Sequence, residues 1–185
     1  AEVEFKYTTS ATIIPDPETV TDWDNERTFR VTSYNGDARE YAYKVVKSEI
    51  ESDGDVELKT TEEVASFAAT KTTVVKGNLI IGSDAEEAEK ITDISALASL
   101  KEVTGNIVIR NSYNGADLTG LDNIVSAGGL QVGSTDVASK ATELHMISMK
   151  ALETLSGDIS VYNDQVTYVL FEKLATIGGS VMFNA

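Results

Sequence analysis

The most regular feature of the chain is a repeated switch between two hydrophobic spacings. From Val75 onward, five segments carry a glycine followed by a short run with apolar residues two apart: Gly77-Asn78-Leu79-Ile80-Ile81, Gly105-Asn106-Ile107-Val108-Ile109, Gly128-Gly129-Leu130-Gln131-Val132, Gly157-Asp158-Ile159-Ser160-Val161 and Gly179-Ser180-Val181-Met182-Phe183. Ahead of the glycines, apolar residues fall at every third position, as in Leu97, Leu100 and Val103, in Leu152 and Leu155, and in Phe171, Leu174 and Ile177. A period of three marks a short helical or 3₁₀ turn with one buried edge, and a period of two marks a strand. Each repeat therefore turns and then extends. The glycines stand 28, 23, 29 and 22 residues apart, the length of one coil in a repeat protein. The pairs Leu79/Ile81, Ile107/Ile109, Leu130/Val132, Ile159/Val161 and Val181/Phe183 are expected to point inward and stack in ladders, since a single coil cannot bury them and stacked neighbours can. The fold class this predicts is mainly β, with a short right-handed β-solenoid over residues 60–185.

The glycines sit where a turn becomes a strand, a corner that calls for positive φ or close backbone approach. The third repeat departs from the others: Val125-Ser126-Ala127-Gly128 has one more residue between apolar anchor and glycine than Val103-Thr104-Gly105, which predicts a bulge there. Thr61-Glu62-Glu63-Val64-Ala65-Ser66-Phe67-Ala68 reads as a capping helix with Thr60 or Thr61 at its N-cap and acids in its first turn, placed to shield the open end of the solenoid. The opposite end, after Phe183, is expected to be uncovered unless another chain, a second copy or a continuation of this one lies against it. Loops vary in length at residues 82–90, 111–117, 133–142 and 163–167, all on the side that follows the strand, where repeat proteins carry recognition surfaces.

Residues 1–50 have a different texture. Alternating apolar and polar stretches at 3–7, 11–14, 28–33 and 41–47 read as strands of a small antiparallel unit, with Tyr34-Asn35-Gly36-Asp37 as a hairpin turn in which Asn-Gly takes positive φ at both central positions. The acidic stretch that ends in Asp53-Gly54-Asp55 reads as a linker over 51–59.

Charge and cysteine content narrow the partners. Thirty acids against fifteen bases give a net charge of −15, which repels nucleic acid and anionic membrane. No run of about twenty apolar residues is present to insert in a bilayer. The lack of cysteine removes disulfides, thiolate metal ligands and thiol catalysis together. The chain opens at Ala1-Glu2-Val3, inside a strand-like stretch, as expected where a leader has been removed.

The repeat Leu97-x-x-Leu100-x-x-Val103-x-Gly105-x-Ile107-x-Ile109 resembles the receptor L-domain type of leucine-rich repeat found in surface proteins of gut Bacteroides and, distantly, in growth-factor receptor ectodomains. It covers about residues 60–185. The segments Ala11-Thr12-Ile13-Ile14-Pro15-Asp16-Pro17, Asp22-Trp23, Phe29-Arg30-Val31-Thr32-Ser33 and Tyr41-Ala42-Tyr43-Lys44-Val45 look like the closing half of the Ig-like modules that open many Bacteroides surface lipoproteins, four strands being readable where a full sandwich has about seven. These resemblances imply an exported, lipid-anchored protein at the extracellular or outer-membrane surface, with adhesion or binding as its role. The family has no shared catalytic residue to carry over.

The residues offer little catalytic chemistry. His145 is the single histidine, with Ser148 and Glu143 close in sequence, and neither offset makes a triad or a zinc set. Acid pairs such as Asp84/Glu86 and Asp158/Asp164 read as solvated loop charges rather than a glycosidase dyad, and Asp53-Gly54-Asp55 falls short of a calcium loop. Asn78, Asn106 and Asp158 share one position beside the glycine, which predicts a partial polar ladder to neighbouring backbone. No metal or cofactor is expected. The expected recognition surface comprises the outward strand positions Ile80, Val108, Gln131, Ser160 and Met182 together with Arg110, Tyr113 and Tyr162, and its best binding candidates are Arg110, Tyr113, Gln131, Ser160 and Tyr162. The sequence thus reads as a noncatalytic surface module for a protein or glycan ligand. Assembly through the uncovered last coil is the second reading and a carbohydrate-active enzyme the third.

Overall fold

The computed structural model describes residues 10–21, 25–44, 49–135 and 143–183. Strand accounts for 36% of the described residues and helix for 9%, so the protein is mainly β. It divides into two units, Ala1–Ser48 and Glu49–Ala185. In the first, β1 (Thr12–Ile14), β2 (Arg27–Thr32) and β3 (Ala38–Tyr43) form a three-stranded antiparallel sheet in that order. Among its described residues Phe29 is fully buried, and it meets Tyr43 edge-on with ring centroids 6.1 Å apart. The strand expected at 3–7 lies outside the described residues, as does Trp23.

The hairpin between β2 and β3 differs from the expectation. Gly36 alone takes positive φ, at 87°, while Asn35 does not. Gly36 N donates to Ser33 O at 3.0 Å and Ser33 N donates to Asp37 O at 2.8 Å. This is the three-residue connection, a turn followed by a left-handed glycine, rather than the two-residue one. Consequently β3 starts at Ala38, three residues before the predicted strand at 41–47.

The second unit is built on parallel pairing of consecutive repeats. Its elements are β4 (Val56–Leu58), α1 (Thr61–Ala69), β5 (Val74–Val75), β6 (Leu79–Ile81), β7 (Glu102–Ile109), β8 (Ser126–Val132), β9 (Met146–Ser148), β10 (Thr154–Leu155), β11 (Ile159–Val161), β12 (Tyr168–Leu170), β13 (Thr176–Ile177) and β14 (Val181–Phe183). One strip runs β5, β7, β8, β10, β13 and a second runs β4, β6, β7, β8, β11, β14, both within one nine-stranded sheet. A third strip pairs β9 with β12, all in parallel. Among the described residues no sheet closes into a barrel.

The register places like on like. Val56, Leu79, Ile107, Leu130, Ile159 and Val181 align in one column, and Leu58, Ile81, Ile109, Val132, Val161 and Phe183 in another. From Leu79 to Val161 these residues are 2% exposed or less, and each contributes roughly 1.5–3 kcal/mol by leaving water. The period-three positions complete the core up to Leu155, whereas in the last repeat Phe171 and Leu174 are half-buried and Ile177 is 37% exposed. Leu100 N donates to Leu97 O, Leu121 N to Leu118 O and Ile124 N to Leu121 O, which are turn bonds three residues apart, and all these side chains are buried.

The expected linker at 51–59 is instead part of this sheet. Gly54-Asp55-Val56-Glu57-Leu58 has the same pattern as the later repeats, and β4 pairs with β6 in register. The helix therefore follows the first repeat rather than preceding it. It starts at Thr60, whose hydroxyl accepts from Glu63 N at 3.1 Å while the Glu63 carboxylate accepts from Thr60 N at 3.2 Å, a capping box. Glu89 also accepts from Thr61 N at 2.9 Å, which holds its carboxyl below the usual range. Val64 and Ala68 turn into the core.

Gly54, Gly77, Gly105, Gly128, Gly157 and Gly179 stack at the corner where the two strips meet. A Cβ on Gly105 would stand 2.7 Å from the carbonyl of Gly77, one on Gly128 2.6 Å from Gly105 O, and one on Gly157 2.8 Å from Gly128 O. Close approach is therefore the reason for this column; positive φ is needed only at Gly54, where φ is 109°. The bulge expected in the third repeat lies on its neighbour. Val103 pairs with Ala127 and Asn106 with Gly129, so β7 carries the extra residue, and the inward anchor of β8 is Ala127 while Val125 is 39% exposed.

Replacing Gly105 with alanine drives a methyl group into backbone that cannot move aside. The Gly105→Ala variant is expected to lose about 3 kcal/mol of stability in urea unfolding; an unchanged midpoint and slope would show that the corner tolerates side chains.

Candidate functional site

The outward face of the second strip is defined by strand alternation: if Leu79 and Ile81 face in, Ile80 faces out. The register sets Glu57, Ile80, Val108, Gln131, Ser160 and Met182 in one row across β4, β6, β7, β8, β11 and β14. Strands lie about 4.8 Å apart, so side chains in this row shade one another. Val108, between Ile80 and Gln131, is 8% exposed, whereas Met182 at the last strand is 44% exposed. Ile80, Gln131 and Ser160 are half-buried.

The five candidate binding residues meet different fates. Tyr113 is in the core, 1% exposed, and does not belong to the surface as expected. Its backbone N donates to Arg110 O at 3.0 Å, a tight turn that swings the side chain inward, and residue 113 then bridges to Ile91. Its hydroxyl donates to Asp117 O, and burial, reinforced by Asp117 and Asp93, pushes the phenol well above the ordinary tyrosine range. Arg110 is half-buried and engaged: Nη1 donates to Asp84 Oδ2 at 2.8 Å, while Asp84 Oδ1 accepts from Asn111 N at 3.1 Å. This carboxylate clamps the loop after β7 to the loop after β6. Gln131 folds back, with Nε2 donating to Gly133 O at 3.0 Å. Ser160 is half-buried in the middle of the row, and Tyr162 is half-buried beside Gly133, where an added Cβ would lie 3.5 Å from Tyr162 Cβ. The structure thus sets Gln131 beside Ser160 in one row, leaves Tyr162 just beyond the strand next to Gly133, and assigns Arg110 and Tyr113 to holding the loops and core.

The polar ladder predicted beside the glycines is present, and it starts one repeat earlier. Asp55 Oδ1 accepts from Asn78 N at 2.7 Å and from Asn78 Nδ2 at 3.2 Å, and Asn78 Oδ1 accepts from Asn106 N at 2.8 Å. Gly129 supplies no side chain at the next rung; a Cβ there would fall 2.7 Å from Asn106 Oδ1. The ladder resumes with Asp158 Oδ1 accepting from Ser180 N at 2.6 Å. The Asn78 hydrogen bonds, backbone first, hold the Asp55 carboxyl below the ordinary carboxylate range. Sequence reasoning missed Asp55 although it occupies the Asn78 position of its own repeat. It also missed Asp84 as a clamp, for which only proximity in the fold gives a signal.

His145 is exposed, with Nδ1 3.2 Å from Gln165 O, whereas Ser148 is buried. Among the described residues no group of three histidine, cysteine, aspartate or glutamate side chains is placed to hold a metal ion. The loop residues 136–142 of the expected variable surface lie outside the described residues. No known protein family, curated protein or solved structure gives a significant match to this chain.

Burial of the Tyr113 phenol carries a pH consequence. A proton held more tightly in the folded state stabilises the fold below the unfolded pKa near 10 and ceases to do so as pH rises through the higher folded value. Wild-type protein is expected to lose stability above about pH 10, and Tyr113→Phe to lack that component while costing about 1 kcal/mol at neutral pH. Urea melts of both proteins across the alkaline range measure this; parallel curves would refute it.

Proposed function

We propose that residues 49–185 form a short right-handed β-solenoid of the L-domain-like leucine-rich-repeat type, and that it serves as a noncatalytic binding or adhesion module for protein or glycan at the cell surface. The observation that carries this reading is the in-register solvent-side row in which Gln131 and Ser160 are neighbours, with Tyr162 just beyond the strand beside Gly133, on a frame stiffened by the glycine column and the Asp84 clamp. A parallel sheet face with half-exposed polar and aromatic groups suits a broad, flat contact, in which aromatic anchors supply most of the energy. The resemblance of the repeats to surface L-domains supports export and lipid anchoring, and the small antiparallel unit then acts as a spacer of partial Ig-like type.

The test is display of the labelled full chain on arrays of glycans and of extracellular proteins, followed by the same screen with Ser160→Arg and Tyr162→Ala. Binding that drops by more than about tenfold in both, or 1.4 kcal/mol, with circular dichroism unchanged, supports the reading; binding untouched by either variant overturns the assignment of this face.

Assembly is the second reading, favoured by the last strand. Val181 is 51% and Phe183 54% exposed, although both continue columns that are dry from Leu79 to Val161. Under this reading the chain self-associates with rising concentration in light-scattering chromatography, and Phe183→Asp weakens the association. A monomer at every concentration removes it.

A further inference from the structure

The first unit carries a concave site that the sequence did not reveal. On β3, Arg39 and Tyr41 alternate onto the same face, and register pairs Arg39 with Val31 and Tyr41 with Phe29 of β2. Together with Ala11, Ser33, Asn35 and Asp37 from the hairpin end of the sheet, Val31, Arg39 and Tyr41 line a shallow depression of about 360 Å³. Among the described residues, no hydrogen bond, ion pair or ring contact engages the side chains of Asn35, Asp37, Arg39 or Tyr41.

We infer that this depression is a saccharide-binding site. A guanidinium, a carboxylate and a carboxamide each present two parallel hydrogen-bonding atoms, the arrangement that grips adjacent hydroxyls on a sugar ring. Asp37 accepts from hydroxyls, Arg39 donates to them and Asn35 does either. Tyr41, 42% exposed, offers an apolar ring to the C–H face of the same sugar, and Ala11 and Val31 extend that apolar lining. Opposite charges on Arg39 and Asp37 cancel, so the site favours a neutral polyhydroxyl ligand over an ion. Its volume is at the lower bound of small-molecule sites and matches about one hexose. This site belongs to the first unit and is independent of the face proposed above.

The experiment is an amide NMR titration of the ¹⁵N-labelled full chain with methyl α-mannoside, methyl β-galactoside and N-acetylglucosamine in turn. Saturable shifts at Asn35, Gly36, Arg39 and Tyr41 with at least one sugar, at a Kd on the order of 1 mM, are expected. They should weaken by about tenfold or more in Arg39→Ala and in Asp37→Ala. Glu40→Ala, on the opposite face of β3, and Ser160→Arg, in the second unit, should leave them intact. Because both lining variants change exposed side chains, retained dispersion of the spectrum verifies folding. The absence of saturable shifts with all three sugars, or shifts that persist unchanged in both lining variants, overturns the proposal.

Discussion

Everything in the second unit depends on how closely consecutive repeats can approach at one corner. Gly105 N donates to Gly77 O at 2.9 Å and Gly157 N to Gly128 O at 2.5 Å, with no side chain between them. That contact locks the two parallel strips of the nine-stranded sheet to each other, because β7 and β8 run through the corner and belong to both. Once the corner is fixed, alternation along each strand decides the rest: one set of side chains enters the columns of the core and the other faces solvent. A methyl group at the corner would separate neighbouring repeats and weaken every rung beside it, including the Asn78–Asn106 hydrogen bond.

Polar groups finish what the glycines begin. The backbone N–H groups beside the corner would lack a partner on the side where the strand bends, and the Asp55, Asn78 and Asp158 side chains supply one. At Gly129, next to the bulge on β7, the same position has no side chain, and a Cβ there would stand 2.7 Å from Asn106 Oδ1 and 2.9 Å from Asp158 O. The core thus tolerates one repeat that is shorter at its corner, provided the ladder yields there.

The repeating core was legible in the sequence because it rests on periodicity, which survives without any knowledge of contacts. Leu79, Ile107, Leu130 and Ile159 are in the column that their spacing predicts. The first repeat was hidden because its acidic surroundings look like a linker, even though Gly54-Asp55-Val56-Glu57-Leu58 carries the full pattern. Ala127 was hidden by size, since Val125 is the stronger apolar residue and only pairing with Val103 reveals the anchor. The candidate surface was harder still. Whether Tyr113 faces water depends on a turn closed by Arg110, and whether Arg110 is available depends on Asp84, 26 residues earlier. Such relations are properties of the folded loops, not of local spacing. The depression lined by Arg39 and Tyr41 also required the register of β2 against β3.

The glycines are separated by 28, 23, 29 and 22 residues, yet the strands that follow them pair rung for rung. Loop length is therefore uncoupled from strand alignment, and a duplication or loss of one whole repeat would leave the columns on either side in phase, whereas a shift of one residue within a strand would turn a column inside out. The whole repeat is thus the unit in which this core can be lengthened or shortened without disturbing its columns, and the length of a connecting loop is set separately from the scaffold it joins.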